Sequence, residues 1–441
     1  MFEASLLALQ DLVGLIAIED GVGQLLLLLF PFFVLIELPM NLLVIAGVLR
    51  WYSKKLETPP FNSLYTPKVS CIITCYSEGR DVRLTLQTLC EQIYPGEIEL
   101  IPVVDGASQN HETLNAIREF KLDRSLYPNR TLKAIAKWQR GGRVSSLNAG
   151  LQAASGEIVM ALDGDTSFDN NTVSALVRHF EDPNVPAVSG SLRVRNAKAS
   201  LMTRIQELEY FISIHTSKTG LSEWNTVNNI SGAFGVFRKD FLKHIGGWDT
   251  HTAEDLDITL RIKNYFGRKP YRIPFEPEAI GHTDAPTGFR EFFMQRLRWD
   301  GDLYFLYMRK HPHSITPRLM GWRNFLMTLF TGFFFQLVLP FMIVIYSVAV
   351  LILLPLPMVA AISVLVYFVY LIMTVVFYLI GILLVSERPK QDLRMLAVIP
   401  IFPLFMFLLR CWGVVCTLNE AWRRGHEESG MAPWWVPYVS A

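Results

Sequence analysis

The sequence of 441 residues is poor in charge and in cysteine. Only 18% of its residues are Asp, Glu, Lys or Arg, whereas an average soluble domain carries about 25%. A net charge of +1 gives no sign of a general nucleic-acid binder, and a hydrophobic content of 51% argues against a disordered chain. The five cysteines form no CxxC pair, and their odd number argues against a disulfide framework.

The apolar residues are concentrated at the two ends of the chain. Within residues 22–49 the only ionisable side chain is Glu37, and about 20 apolar residues suffice to cross the roughly 30 Å hydrocarbon core of a bilayer. The basic and aromatic residues 50–55 follow, and the positive-inside rule places them in the cytoplasm. We therefore expect an N-terminal membrane span that is not cleaved as a signal peptide.

Further spans are expected near the C-terminus, at residues 325–354 and 358–385. The loop 386–394 carries three basic residues and fits the cytoplasmic side. A third apolar segment, 395–418, is interrupted by two prolines and an arginine. It therefore either crosses the membrane fully or forms a broken, re-entrant helix that leaves the tail inside.

Two ionisable residues lie inside these apolar segments. Glu37 and Arg410 would each cost about 2.5–3.5 kcal/mol at the centre of a bilayer. Two interpretations remain open: the two side chains line a polar path, or they pack against other helices or reach the interface.

Between residues 59 and 317 the composition is that of an ordinary soluble domain, long enough to bury a large core. The alternation of strand and helix patterns predicts a parallel α/β sheet. The predicted strands are 69–76, 98–105, 132–135 and 158–163. The predicted helices are 81–92, 111–120, 145–154 and 171–180.

Acidic residues stand at the ends of two of these strands. Asp105 ends one strand, and Asp163, Gly164 and Asp165 end another, where ligands bind in parallel sheets. Asp105 alone could equally cap a helix. Two aspartates around a glycine favour a divalent-metal site, because Mg²⁺ is commonly held by one or two carboxylates together with substrate phosphates. The pattern predicts a nucleotide-diphosphate substrate bridged by Mg²⁺ or Mn²⁺.

Together with other segments in the same order, these residues resemble the family 2 glycosyltransferases. The resemblance is to the membrane-embedded synthases of the cellulose, chitin, hyaluronan and poly-N-acetylglucosamine group. It rests on the segments 74–78, 103–106, 142–150, 163–165, 253–257 and 295–299. It implies an α/β GT-A-type, Rossmann-like catalytic domain in the cytoplasm, flanked by transmembrane helices.

The resemblance also implies a donor site. The residues implied to bind the nucleotide sugar are Thr74, Tyr76, Glu78, Asp105, Arg143 and Asp163, with the metal on Asp163 and Asp165. Many relatives have two consecutive acids where this chain has only Asp105. Relatives usually carry Lys where Arg143 stands, and arginine keeps the charge but has a different geometry.

The segment 253–257 resembles the acidic motif whose aspartate is the general base, which implies a catalytic Asp255 with Glu254 beside it. A single base accepts the proton of the acceptor hydroxyl, so the reaction is expected to invert the anomeric centre. The residues implied for the acceptor and the pyrophosphate are Gly232, Gln295, Arg296, Arg298 and Trp299. The segment 295–299 could equally form an amphipathic helix at the membrane surface.

The activity implied is that of an inverting hexosyltransferase. It would move a hexose or N-acetylhexosamine from a UDP-sugar to a growing β-linked polysaccharide and pass the polymer across the membrane. The alternative is transfer of a single sugar to a lipid, as in enzymes like ceramide glucosyltransferase. A catalytically silent membrane partner is a third hypothesis, against which the intact acidic motifs argue.

The expected location is the bacterial inner membrane, with membrane lipids as partners, no nucleic acid, and room for an accessory export or activating subunit. The expected division of the chain is an N-terminal segment with its span, the GT-A domain with an interfacial helix, the C-terminal helices and a tail. The corresponding boundaries are 1–52, 53–320, 321–424 and 425–441.

Overall fold

The computed structural model describes residues 31–57, 64–250 and 252–424. The start of the expected N-terminal span, the residues 58–63 at the beginning of the soluble domain and the tail 425–441 lie outside the described residues.

The central domain is built on a nine-stranded sheet. Its strands are β1 (Val69–Cys75), β2 (Ile98–Val104), β3 (Arg130–Leu132), β4 (Ile135–Ala136), β5 (Ile158–Asp163), β6 (Ser167–Phe168), β7 (Ala187–Val194), β8 (Phe234–Arg238) and β9 (Phe275–Thr283). The strand order is β3-β2-β1-β5-β8-β7-β9-β6, and β4 also pairs with β2.

Helices cover the sheet and extend away from it. They are α1 (Phe33–Glu57), α2 (Val82–Cys90), α3 (His111–Arg118), α4 (Gly142–Ala153), α5 (Thr172–Val177), α6 (Leu201–Tyr210), α7 (Ser217–Glu223), α8 (Lys239–His244), α9 (Glu254–Lys263), α10 (Phe289–Tyr304), α11 (Pro317–Leu353), α12 (Leu356–Leu384) and α13 (Pro389–Arg423). The π-helical turn Phe211–Thr216 joins α6 to α7.

The prediction of a parallel sheet is right for β1 to β5 and for the β7–β9 pair, and wrong where β8 and β6 join the sheet. Strands β1, β2, β3, β4 and β5 pair in parallel. Strand β8 is antiparallel to both β5 and β7, and β6 is antiparallel to β9. The difference arises because the chain leaves β7 through the long helical excursion α6–α7 and returns between β5 and β7 without a βαβ crossover. The predicted strand 132–135 is also divided into two short strands.

The core follows from the apolar runs of the strands. Every residue of β1, β2 and β7 is buried, as expected for strands covered on both faces. Successive residues of β1 point to opposite faces, so Cys71 packs with Leu86 and Leu89 of α2, whereas Ile72 packs with Leu147 of α4. Cys71 is therefore a core residue.

Four of the helices, α1, α11, α12 and α13, are long and apolar enough to cross a membrane. For the first three, one end lies against the α/β domain. Lys54 of α1 pairs with Glu223 at 2.5 Å, Gly267 donates its N–H to the Leu319 oxygen of α11 at 2.7 Å, and α12 ends close to β7. The opposite ends of α1 and α12 meet away from the domain, where Phe33 and Met358 both pack around Ile362.

Helix α13 behaves differently, because both of its ends lie on the side of the domain. Asp392 accepts a hydrogen bond from Arg193 of β7 at 2.9 Å, and Glu420 accepts one from Arg309 at 3.1 Å. In between, the Tyr367 hydroxyl of α12 donates to the Pro400 oxygen at 3.1 Å. A 3₁₀ stretch contains Pro400, where the missing N–H breaks the α-helix. The geometry favours the re-entrant alternative.

The two charges inside the apolar segments contact each other. The Arg410 guanidinium lies 3.6 Å from a carboxylate oxygen of Glu37 and donates to the Phe335 oxygen at 2.9 Å. These contacts join α13 to α1 and α11. They agree with the interpretation that both side chains pack against other helices.

Arg193 is a fully buried arginine that joins the domain to the helices. It donates to Glu387 and Asp392, both at 2.9 Å, and lies 3.4 Å from Glu207 of α6. Glu387 belongs to the connection between α12 and α13, and Asp392 lies in the first turn of α13. This loop therefore lies on the side of the α/β domain, as the sequence predicted.

Candidate active site

Arg143 brings together four segments that are far apart in the sequence. Its Nε donates to Glu254 Oε1 at 2.6 Å, and its Nη1 donates to the Thr74 hydroxyl at 2.8 Å. Its Nη2 donates to the Gly232 carbonyl oxygen at 2.6 Å, and it forms an ion pair with Asp163. Five residues predicted for donor binding, catalysis and acceptor binding thus form one cluster.

The position of Arg143 follows from the start of α4. Asp105 accepts hydrogen bonds from the backbone N–H groups of Gly141 and Gly142, at 2.9 and 2.8 Å, and from Lys137 Nζ at 2.7 Å. Asp105 therefore caps the N-terminus of α4, which is one of the two roles considered for it. Because Arg143 stands in the first turn of α4, this cap aims its side chain across the ends of the strands. A contact of Asp105 with a nucleotide stays a prediction.

The loop after β1 places two further predicted residues. The Tyr76 hydroxyl accepts a hydrogen bond from Arg140 at 2.7 Å, and the Arg140 guanidinium lies 3.9 Å from the centre of the Tyr76 ring. Ser77 adopts a left-handed backbone with φ of 69° and turns the chain back towards β5. Glu78 consequently lies against Gly164, where an added Cβ would be 3.1 Å from its Cδ. The glycine between Asp163 and Asp165 is required for this approach.

Acidic side chains near Gly164 suit a divalent cation. Burial, and to a lesser extent the nearby Asp165 carboxylate, raise the pKa of Glu78 to about 7. Glu78 Oε2 is buried without a hydrogen-bond partner among the residues that the structure describes. Burial also raises the pKa of Asp165. In the described part of the chain no group of three His, Cys, Asp or Glu side chains converges. Mg²⁺ needs only one or two carboxylates when phosphates complete its shell, so the donor set fits the predicted metal.

Asp255 lies in the first turn of α9. Its Oδ2 accepts from Asn229 Nδ2 at 3.1 Å and its Oδ1 accepts from the Leu256 N–H at 2.7 Å. Burial, and then the neighbouring Glu254 carboxylate, raise the pKa of Asp255 to about 6. Ala253, directly before the helix, has a left-handed backbone with φ of 44°, a strained conformation typical of functional sites. Hydrogen bonds therefore fix the orientation of the Asp255 carboxylate, and its pKa of about 6 lies close to neutrality.

Gly232 forms a wall of the same site. A Cβ at this position would lie 3.1 Å from Glu254 Oε1 and 3.5 Å from the Cβ of Asp255. Gly232 precedes β8, which begins at Phe234. The segment 231–238 therefore passes close to the two carboxylates and then continues as a strand. Gly232, Glu254 and Trp248 line a small cavity next to Asp255.

Arg296 is held away from the Arg143 cluster. Its Nη2 donates to Glu209 Oε2 of α6 at 2.7 Å, and its guanidinium lies over the rings of Phe292 and Trp299, at 5.0 and 4.8 Å. Gln295 Oε1 is buried without a partner in the described residues. The structure therefore places this motif beside the site, and a contact of Arg296 with pyrophosphate stays a prediction.

Helix α10, which carries that motif, lies between the α/β domain and the apolar helices. On one side Trp412 Nε1 of α13 donates to the Phe293 oxygen at 3.1 Å. On the other side, the segment that follows α10 packs its Leu306 against Leu256 and Leu260 of α9. Arg298 and Trp299 stay exposed, the latter by 38%. The interfacial and catalytic interpretations of α10 are thus compatible in space.

Sequence reasoning missed several polar residues that support the site. Lys137 and Arg140 belong to a basic loop directly before the 142–150 motif, and this adjacency could have identified them. Asn229 precedes the small residues around Gly232 and could have been found in the same way. Glu209 had no local signal, because its partner Arg296 is 87 residues away.

The chain has relatives among known proteins. The family model for glycosyl transferase family group 2 matches residues 158–385, just over half of the chain. Poly-beta-1,6-N-acetyl-D-glucosamine synthase from Staphylococcus epidermidis is 32% identical over 281 residues, covering 62% of this chain and 64% of that protein. The protein of the same name from Staphylococcus aureus strain COL is 30% identical over 246 residues, covering 55% and 56%. The chain thus spans less than two thirds of the length of these curated relatives.

Among solved structures, the fold is similar to that of the mannosyltransferase PcManGT from Pyrobaculum calidifontis in complex with GDP-Man and Mn²⁺. The TM-score is 0.54, and the match covers 87% of this chain and 99% of that chain at 19% sequence identity. At this identity the likeness concerns the fold alone. It confirms the predicted α/β GT-A-type domain with flanking apolar helices.

Proposed function

The chain belongs to glycosyl transferase family group 2, and from this membership we propose that it transfers N-acetylglucosamine from UDP-N-acetylglucosamine to a growing β-1,6-linked polysaccharide. The observation that carries the proposal is the Arg143 cluster, which joins the strand-end acid Asp163 to the acidic pair of α9. The sugar and the linkage are supported by the similarity to the staphylococcal synthases.

The chemistry assigned to Asp255 is that of a general base. As the acceptor hydroxyl attacks the anomeric carbon, its proton passes to the Asp255 carboxylate, a new C–O bond forms, and the bond to the UDP oxygen breaks. A pKa of about 6 leaves most of the carboxylate ionised at neutral pH and still basic enough to take the proton. One displacement inverts the centre, so an α-linked donor gives a β-linked product.

The donor is assigned to the strand ends. Arg143 offers its positive charge to the diphosphate, and Thr74 and Asp163 hold the guanidinium in place. Asp163 and Asp165 would hold Mg²⁺ or Mn²⁺, with Glu78 beside them. When bound, the ion supplies positive charge to the leaving diphosphate. UDP then departs without needing a protonating acid.

The acceptor is assigned to the opposite side of Asp255. Gly232 has no side chain to obstruct a sugar ring next to the carboxylates. The exposed ring of Trp299 offers a face on which a sugar can stack. Because α10 lies next to the apolar helices, a growing chain would leave the site towards the membrane.

We place the domain on the cytoplasmic side of a bacterial inner membrane. The basic end of α1, with Lys54, supports this side. The contacts at both ends of α13 support a re-entrant segment, which puts Arg424 on the same side as the domain. Arg424→Cys should react with a membrane-impermeant maleimide in inside-out vesicles and not in intact cells. Labelling in intact cells would instead show a full crossing.

A product assay tests the activity. The purified chain is incubated with radiolabelled UDP-N-acetylglucosamine and Mg²⁺ or Mn²⁺, and the product is sized and digested with a glycosidase specific for β-1,6-linked N-acetylglucosamine. We expect high-molecular-weight, digestible material, lost in Asp255→Asn and retained in Asp249→Asn, whose side chain is 66% exposed. A single-sugar lipid would replace the polymerase proposal by the lipid-acceptor alternative, and no transfer would refute both.

A further inference from the structure

We infer that Lys218 and Asn229 are positioning residues for the Asp255 carboxylate, and that the first membrane helix holds them in place. The inference rests on the proposed function in taking Asp255 as the general base. Neither residue lies in a motif on which the family resemblance rests.

Lys218, Asn229 and Asp255 are linked by hydrogen bonds through the backbone and the side chain of Asn229. Lys218 Nζ donates to the backbone oxygen of Asn229 at 3.0 Å. The side-chain amide of Asn229 donates to Asp255 Oδ2 at 3.1 Å. Lys218 thus fixes the backbone of the residue whose side chain fixes the carboxylate. Since Asp255 Oδ1 is held by the Leu256 N–H, both carboxylate oxygens have a set direction.

Lys218 also supplies charge. Its side chain is only 5% exposed, and burial lowers its pKa to about 8, so an ammonium group here needs a nearby anion. The largest charge effects on Asp255 come from Glu254, which raises its pKa, and from Lys218, which lowers it. Glu254 is itself paired with Arg143. The ammonium therefore opposes the like charge within the acidic pair and keeps Asp255 ionised at neutral pH.

Helix α7, which carries Lys218, is fastened to α1. A Cβ on Gly47 would lie 2.2 Å from the backbone oxygen of Gly220, so the two helices meet backbone to backbone. Trp224 Nε1, just after α7, donates to the Leu43 oxygen of α1 at 2.9 Å. The position of Lys218 relative to Asp255 is consequently set by a membrane helix.

The chain provides a matched control for a buried lysine. Lys263 lies two turns further along α9 than Asp255, is 2% exposed, and has its pKa lowered to about 7 by burial alone. It is not among the groups with the largest effect on the pKa of Asp255. Replacing Lys263 by Met removes a buried ammonium from the same helix without touching the proposed positioning chain.

The experiment compares Lys218→Met, Lys218→Arg, Asn229→Ala and Lys263→Met in the full membrane-embedded chain, with UDP-N-acetylglucosamine and Mg²⁺. Without the ammonium the pKa of Asp255 rises, so the acid limb of the rate profile of Lys218→Met should move up by about one pH unit. Its kcat should fall about two-fold at pH 7 and about five-fold at pH 6, with an unchanged donor KM. Lys218→Arg should return the acid limb to its wild-type position, and the pH profile of Lys263→Met should match that of the wild type.

A second measurement separates this inference from the proposed function. Infrared difference titration of each protein against its Asp255→Asn counterpart reads the protonation of the carboxyl without turnover. We expect a midpoint near pH 6 in the wild type, raised in Lys218→Met and in Asn229→Ala. Unchanged midpoints in both variants would overturn the inference, even if transfer occurs. A raised midpoint in a chain that transfers no sugar would uphold it and refute only the proposed function.

Discussion

Replacement of Arg143 by Met should destabilise the protein mainly through one buried ion pair. The side chains of Arg143 and Glu254 are 10% and 7% exposed. Asp163, the other carboxylate on Arg143, is 31% exposed, so water can replace much of that contact. Most of the destabilisation comes from Glu254, because its carboxylate stays buried without a neighbouring cation.

The magnitude follows from these exposures. Removing one partner of a buried ion pair costs about 3–5 kcal/mol, and partial solvent access near Asp163 places the expected loss for Arg143→Met near the lower end, about 3 kcal/mol. Glu254→Gln leaves Arg143 its other acceptors and should cost about 1 kcal/mol. If the pair is coupled, the double variant should lose about 2 kcal/mol rather than the sum of the two.

The assay is thermal unfolding of the detergent-solubilised chain, followed by its intrinsic tryptophan fluorescence. A loss of about 3 kcal/mol should lower the midpoint by roughly 6–12 °C in a domain of this size. Arg272→Met is the matched control, because its pair with Asp182 is 51% and 31% exposed and should be worth less than about 1 kcal/mol. Strictly additive losses in the double variant would refute the proposed coupling between Arg143 and Glu254.

Further outcomes are expected for the base, the helix contacts and the intramembrane ion pair. The rate of transfer should rise with pH through about 6 and then level off, because Asp255 accepts a proton only as the carboxylate. A flat kcat/KM profile from pH 5 to about 7 would contradict this role of Asp255. Gly47→Ala should lower the unfolding midpoint by the equivalent of about 1–3 kcal/mol, since its Cβ would lie 2.2 Å from a backbone oxygen of α7. Gly413→Ala, whose added Cβ would lie no closer than 3.9 Å to any described atom outside its own helix turn, should leave the midpoint nearly unchanged. Equal effects of the two substitutions would count against the contact between α1 and α7. Arg410→Met should reduce the amount of folded protein in membranes by leaving Glu37 unpaired, and the added change Glu37→Gln should recover part of it, as measured by fluorescence-detected size exclusion.

The elements that the sequence predicts well are those defined by local pattern. Strand β5 has the predicted bounds, 158–163, and β1 and β2 end one residue earlier than predicted. Continuous apolar runs between turn residues define buried parallel strands, and an acid at the end of such a run must lie at the ligand-binding edge. The resemblance to family 2 glycosyltransferases, which rests on these ends, is confirmed.

The contacts that the sequence does not predict are long-range ones. Arg143 and Glu254 are 111 residues apart, and neither motif indicates that it pairs with the other. Glu37 and Arg410 were each identified as charges in apolar segments, yet only the packing of α1 against α13 makes them partners. The direction of β8 has the same origin, because it depends on where the chain returns after α7.

The burial of Arg193 determines which fragments of this protein can be expressed separately. A fragment that ends before α11 would contain Arg193, whose side chain is 0% exposed in the full chain, without Glu387 and Asp392. It would also expose the aromatic residues Phe292 and Phe293, which pack against α13. Such a fragment would leave the guanidinium with Glu207 but without its two closest carboxylates, and it would carry an open apolar face, so it should aggregate when expressed alone. We therefore expect the α/β domain, although its composition is that of a soluble protein, to stay in solution only together with its apolar helices.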